Sequence, residues 1–211
     1  MAPASPVRGR GTRVDRFQAA LRTLPSNMSR VGANWALVGG MAVSARSVAR
    51  FTSDFDVAVA VQSDAEAEQI VASLLTYGFT VNALLEDETS RRLATVRLNT
   101  PPEDATPLLL DLLFATCGIE PEIVARATVE SVFPALRMPI ATVSHLLAMK
   151  VLASRDSREH DVPDIARLLA VATDADVTAA REALHLITER GFNRGKDLQA
   201  DFAGYLARFR P

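Results

Sequence analysis

The sequence predicts an α/β (α+β) fold, in which a mixed sheet with flanking helices is followed by a C-terminal helical lobe. Three observations carry this expectation. Short apolar, β-branched or aromatic runs at residues 35–38, 51–61 and 108–114 alternate with segments of helical spacing. Beyond Ala115 the apolar residues recur at helical intervals, in stretches separated by Pro, Gly or capping residues. The composition is 48% hydrophobic and 23% charged over 211 residues, enough apolar side chain for a core but too little chain for two ordinary domains joined by a linker.

Residues 1–13, rich in Pro, Gly, Ser and Arg, read as a mobile basic tail. Residues 14–24 then have helical spacing that Pro25 and Ser26 should end. The run Trp35-Ala-Leu-Val38 ends at Gly39-Gly40, and residues 41–49 continue with small side chains, giving strand, tight turn and helix. Residues 51–61 form the next strand, with Ser63 as cap of a helix marked by Ile70, Leu74 and Leu75. Residues 79–85 and 92–98 flank a polar stretch as a β-hairpin would, and residues 108–114 supply the last strand. Helices are expected over 120–132, 142–154, 161–171, 174–190 and 196–209. The α/β lobe is thus placed at 14–115 and the helical lobe at 116–211.

Twenty-three Lys and Arg against 25 Asp and Glu leave a net charge of -2, which excludes a protein that coats nucleic acid by bulk electrostatics. The charge is unevenly spread: Arg8, Arg10, Arg13, Arg16, Arg22 and Arg30 against Asp15 make the first thirty residues +5 and the remainder -7. The lone Cys117 cannot form an internal disulfide, and the chain shows neither a signal peptide nor an apolar run of membrane length, so cytoplasmic localisation without membrane attachment is expected.

The carboxylates carry the chemical signal. Asp54 and Asp56 lie two apart in a strand, so both point to one face with Cα atoms about 6.6 Å apart. A solvated strand face accounts for such a pair taken alone; one divalent ion bridging them is the alternative. Asp111 is more telling, because it interrupts the apolar run Leu-Leu-Leu-Asp-Leu-Leu-Phe and needs a partner. That partner is an arginine or a helix N-terminus, or else a cation that Asp111 shares with Asp54 and Asp56. Three such oxygen donors suit Mg²⁺, and paired ions about 3.5–4 Å apart serve in-line displacement at phosphorus. Gly39-Gly40 allows close approach of the backbone to a ligand at a helix start. No Walker loop or dinucleotide fingerprint is present. His160-Asp161 suggests a metallohydrolase pair, but His145 and His185 have no metal-ligand spacing to it.

Taken together, these pieces are specific. The segment LVGGMAVSARSVARFTSDFDVAV, with a further strand Asp downstream, resembles the DNA polymerase β-like nucleotidyltransferase superfamily. The later segment HLLAMKVLASRDSREHDVPDIARLL looks like its AbiEii branch, the abortive-infection and toxin–antitoxin nucleotidyltransferases. The resemblance implies a nucleotidyltransferase fold. It implies that Gly39 and Gly40 cradle a triphosphate, that Asp54 and Asp56 are shared ligands of two Mg²⁺ ions, with Mn²⁺ as a substitute, and that Asp111 is the third ligand and base. Lys150 then matches a triphosphate-contacting lysine, and Asp161 and Asp164 match rear-lobe acids, Asp164 being read as a structural partner of Arg155, Arg158 or Arg167. Thr52 bonds a phosphate or holds the start of the strand.

The implied activity is transfer of a nucleoside monophosphate from an NTP to an acceptor hydroxyl. The AbiEii likeness favours an RNA acceptor such as a tRNA 3′ end, with a cognate antitoxin as partner. An antibiotic acceptor, or a fold that no longer catalyses and only binds, are the alternatives.

Overall fold

The computed structural model describes residues 13–50, 52, 54–86, 92–101, 107–154 and 161–210. The basic tail up to residue 12, Phe51, Arg91, Arg155, Arg158 and His160 therefore lie outside the described residues.

The first helix, α1 (Arg13–Arg30), runs through Pro25 instead of ending there. Leu21, Leu24 and Met28 lie along one stripe and are buried. Continuing that stripe past the proline outweighs the one backbone hydrogen bond that the proline removes. Strand β1 (Asn34–Val38) leads with no intervening loop into α2 (Gly39–Arg46), so the two glycines are the first residues of the helix, not a turn before it. Strand β2 (Asp54–Ala60) and helix α3 (Asp64–Thr76) follow. Ser63 caps α3 by accepting from the Glu66 amide, while the Glu66 carboxylate accepts from the Gln62 amide. Strands β3 (Thr80–Glu86) and β4 (Leu93–Asn99) form the expected hairpin, and β5 (Leu109–Leu113) carries Asp111 between the fully buried Leu110 and Leu112.

The predicted helix over 120–132 is cut short. Helix α4 spans Glu120–Arg126, and the chain then forms a hairpin of β6 (Thr128–Phe133) and β7 (Leu136–Ile140). Its turn puts Ala135 at a φ of 63°, a conformation normally marked by Gly or Asn, which is why no hairpin signal appears in the sequence. Four helices complete the chain: α5 (Val143–Ala153), α6 (Asp161–Val171), α7 (Asp174–Glu189) and α8 (Leu198–Phe209). None among the described residues is long and apolar enough to cross a membrane.

The seven strands form one mixed sheet in the order β3-β4-β5-β2-β1-β7-β6. Strand β2 runs parallel to β5 and antiparallel to β1, and β1 runs parallel to β7. Phe55, Val57 and Val59 alternate with the acids of β2 and are buried, so burying that face fixes the register and leaves Asp54 and Asp56 on the other. Helix α2 packs on β2 and also touches α5 and α6, which brings the C-terminal helices to the ends of β1 and β2.

Candidate active site

A cleft of about 610 Å³ opens where these elements meet, and Gly39, Gly40, Thr52, Asp54, Asp56, Asp111, Lys150 and Asp161 all line it. Every residue singled out in the sequence for binding or catalysis thus faces one cavity.

Register explains the acidic side. Val38 is paired with Asp56 across β1 and β2, Asp56 with Asp111 across β2 and β5, and Asp111 with Arg97 across β5 and β4. Cross-strand partners share a face, so Arg97, Asp111 and Asp56 form a row. The demand of Asp111 for a partner is met by Arg97, whose Nε donates to Oδ1 at 2.7 Å and whose Nη2 donates to Oδ2 at 2.6 Å. This fork raises the pKa of Arg97 and keeps it charged. The Asp56 carboxyl is pushed up to about 6, first by burial and then by the charges of Asp111 and Asp54, against the opposing pull of Lys150 and Arg97.

The glycines stand directly against these acids. Gly39 has a φ of +64°, and a Cβ built on it would fall on the Asp56 carboxylate; a Cβ on Gly40 would lie 2.5 Å from Arg50 Nη2. The first turn of α2 carries no acidic side chain and starts at the cleft, so its N–H groups favour an anion.

Lys150, on α5, donates to Asp161 Oδ1 at 2.9 Å and lies 3.0 Å from Asp164 Oδ2. Asp164 is fully buried and is not held by Arg167 alone, which donates at 3.1 Å. Arg50 also grips it, with bonds of 2.8 and 2.7 Å from Nε and Nη2. Burial alone would raise the Asp164 carboxyl, but the bonds from Arg50 and Lys150 outweigh it and hold the group below its ordinary range. Asp164→Ala is therefore expected to lower unfolding free energy by about 3 kcal/mol, because three crowded cations lose their common counterion. Urea denaturation checks this, and a loss under about 1 kcal/mol would show that solvent replaces the carboxylate.

Lys150 is only 14% exposed at its side chain and is tied to two buried acids, so it is more deeply built into the fold than a solvated lysine. The other lysine, Lys196, caps the far end of α5, donating to the Val151 and Ser154 carbonyls at 2.6 and 3.0 Å.

The matched family model, described as "Nucleotidyl transferase AbiEii toxin, Type IV TA system", covers residues 23–207. The chain belongs to the AbiEii nucleotidyltransferase toxin family. It is thus a nucleotidyltransferase of a toxin–antitoxin family, as the two sequence segments imply. No curated protein matches the sequence. The fold is shared with solved nucleotidyltransferase structures. An antigenic nucleotidyltransferase-like protein from Paracoccidioides brasiliensis is 15% identical, with 90% of this chain and 93% of that chain covered and a TM-score of 0.51. The antibiotic-resistance factor ANT(2″)-Ia is 16% identical, with 92% and 94% covered and a TM-score of 0.50.

Two features of this AbiEii cleft depart from the sequence reading. Among the described residues, no three acidic, His or Cys side chains stand grouped as a set of metal ligands. Asp54, Asp56 and Asp111 are hard oxygen donors of the kind that Mg²⁺ takes, and burial, followed by the charges of Asp111 and Asp54, raises Asp56, a cost of ionisation that a cation would relieve. Asp111 would join such a set in competition with Arg97, which bonds both of its oxygens. The second departure is the number of cationic groups: Arg50, Arg97 and Arg194 line the cleft beside Lys150. Arg194 reaches it from the loop after α7, at a φ of 55°, with Nη2 donating to the Thr116 carbonyl at 2.9 Å. Among 21 arginines nothing in residue type distinguishes these three. Asp111, an acid in an apolar run, points in the sequence to a partner such as Arg97, and Arg50 lies in the segment that carries the family resemblance, while Arg194 has no such signal.

Cys117 is buried and its thiol is pushed up, by burial and then by Glu120, so it stays neutral. It lies just ahead of α4, where its amide and that of Thr116 donate to Glu120 Oε1. His145 is buried and pushed down to about 4, chiefly by burial, and accepts or donates at Thr142 Oγ1. Arg92 is tied to Asp64 at 3.1 Å, joining β4 to the start of α3.

Proposed function

We propose that this AbiEii nucleotidyltransferase moves a nucleoside monophosphate from an NTP to a hydroxyl of RNA, a tRNA-like 3′ end in particular, in the cytoplasm. A cognate antitoxin would restrain it. The observation that carries the reading is the meeting, in one cleft, of the α2 N-terminus at Gly39-Gly40 with the carboxylates of Asp54, Asp56 and Asp111, Lys150 lining the same cleft.

Asp54 and Asp56, joined by Asp111, would hold two Mg²⁺ ions, or Mn²⁺ in their place. Bound there, such ions would neutralise charge on the attacking and leaving oxygens. The N–H groups of Gly39 and Gly40 receive phosphate oxygens, and Lys150 opposes the charge that gathers on the leaving pyrophosphate. The acceptor oxygen attacks the α-phosphorus, the bond from that phosphorus to the α,β-bridging oxygen breaks, and pyrophosphate leaves with that electron pair. Asp111 or bulk water takes the hydroxyl proton. Thr52 and Asp161 stand in the cleft as supports, the first beside β2 and the second orienting the Lys150 ammonium.

Each α-labelled NTP incubated with the protein and total cellular RNA tests the reading. Label should pass to RNA in the presence of Mg²⁺ and not to an aminoglycoside. A protein lacking residues 1–13 should bind NTP normally, while the salt dependence of transfer to RNA becomes flatter, because each lost arginine–phosphate contact removes a released counterion. Label on the aminoglycoside alone would leave nucleotidyl transfer standing and remove the RNA acceptor. No transfer to anything would favour the binding module.

A further inference from the structure

The contact between Arg97 and Asp111 has a consequence for how the cleft is loaded. Both oxygens of Asp111 point to the guanidinium, through two short, parallel bonds. The side chain of Asp111 is 9% exposed and that of Arg97 is 37% exposed, so the carboxylate is covered while the guanidinium borders the open cleft. The fork takes one lone pair on each Asp111 oxygen and fixes the carboxylate toward the guanidinium, so a cation that uses Asp111 as a ligand competes with Arg97 for it. The neighbours Val96 and Leu98 are fully buried on the other face of β4, so a displaced Arg97 side chain stays on the cleft side. The displaced guanidinium is a fixed positive charge whose fork matches phosphate oxygens as well as it matches a carboxylate.

We propose that Arg97 is an exchange residue: it holds Asp111 in the resting enzyme, and passes to an anionic oxygen of the NTP triphosphate when Asp111 turns to the divalent cation. This rests on the nucleotidyltransferase reading above and adds to it a substrate-contacting residue and a source of coupling. A cation arriving alone competes with Arg97 for Asp111. When a triphosphate is present, the released guanidinium has a new acceptor, so each ligand favours the other.

Mn²⁺ binding, measured by calorimetry and by the spin-resonance signal of free Mn²⁺, tests this with and without α,β-methylene nucleoside triphosphates, in the full chain and in Arg97→Gln. The variant should bind Mn²⁺ alone about 5-fold more tightly than the wild type, because the competitor for Asp111 is gone. It should bind the triphosphate analogues about 5-fold more weakly, and the enhancement of each ligand by the other should shrink by a similar factor. Arg97→Lys keeps the charge without the fork and should fall between the two. Thermal melting run in parallel detects a variant that is merely misfolded, which would lose affinity for both ligands. Opposite changes in the two affinities support the exchange. Mn²⁺ affinity that falls or stays level in both variants overturns it, as does tighter Mn²⁺ binding with unchanged analogue binding. A wild type that binds neither Mn²⁺ nor any analogue overturns the nucleotidyltransferase reading itself, and the exchange with it.

Discussion

Asp56→Asn is expected to reduce nucleotidyl transfer by at least about 10²–10³-fold while making the chelator-treated protein more stable near pH 8. Both effects come from the same carboxylate. Asp56 is held at about 6 in the fold against 3.8 for an ordinary aspartate, by burial and by the adjacent Asp111 and Asp54 charges. A raised carboxyl binds its proton more tightly folded than unfolded, so ionisation works against folding. That penalty is absent below about pH 4, grows between the two pKa values and is complete above the folded one. The neutral amide escapes it, and with allowance for the water that reaches the cleft the gain is on the order of 1–2 kcal/mol. Melting curves in EDTA should therefore separate wild type and variant at pH 8 and converge near pH 4. Mg²⁺ should raise the melting temperature of the wild type more than that of the variant, because a ligand stabilises only the state that binds it. A variant less stable than the wild type at pH 8 would mean that the charge on Asp56 is already compensated in the free protein.

The same clash of charge with burial is legible in the order of residues alone, and it shows which parts of a site a sequence exposes. Asp111 stands out because an acid inside Leu-Leu-Leu-Asp-Leu-Leu-Phe contradicts its surroundings, and Asp54 with Asp56 because strand alternation places them on one face. Lys150 stands out because lysine is scarce in this chain. Arg97 contradicts nothing. A half-exposed arginine on a strand is ordinary, and only the cross-strand register of β4 with β5 joins it to Asp111. Register depends on pairing between residues distant in sequence, which local pattern does not carry. The hairpin of β6 and β7 is hidden for a related reason: Ala135 takes the left-handed conformation because the paired strands hold it there, with no residue type to announce it. Pro25 is the opposite case, a strong local stop signal overruled by burial of Met28 beyond it.

Gly39→Ala is expected to reduce transfer by about 10²-fold and unfolding free energy by about 1–3 kcal/mol. Two costs add. At a φ of +64° an L side chain meets its own backbone, and the new Cβ falls where the Asp56 carboxylate lies, because Val38 and Asp56 are register partners and Gly39 follows directly. These costs separate in a double-mutant cycle. Replacing Asp56 by Ala removes the carboxylate but leaves the backbone angle, so Gly39→Ala should cost less in the Asp56→Ala background by at least about 0.5 kcal/mol, the remainder being backbone strain. Gly40→Ala makes a useful comparison. Its Cβ would meet the end of Arg50, a long side chain, yet one anchored by two bonds to the fully buried Asp164, so it is expected to cost stability without touching the acidic row. If Gly39→Ala is equally harmful with and without the Asp56 carboxylate, glycine at the start of α2 serves the backbone alone and the close approach of β1, α2 and β2 has no bearing on the acids.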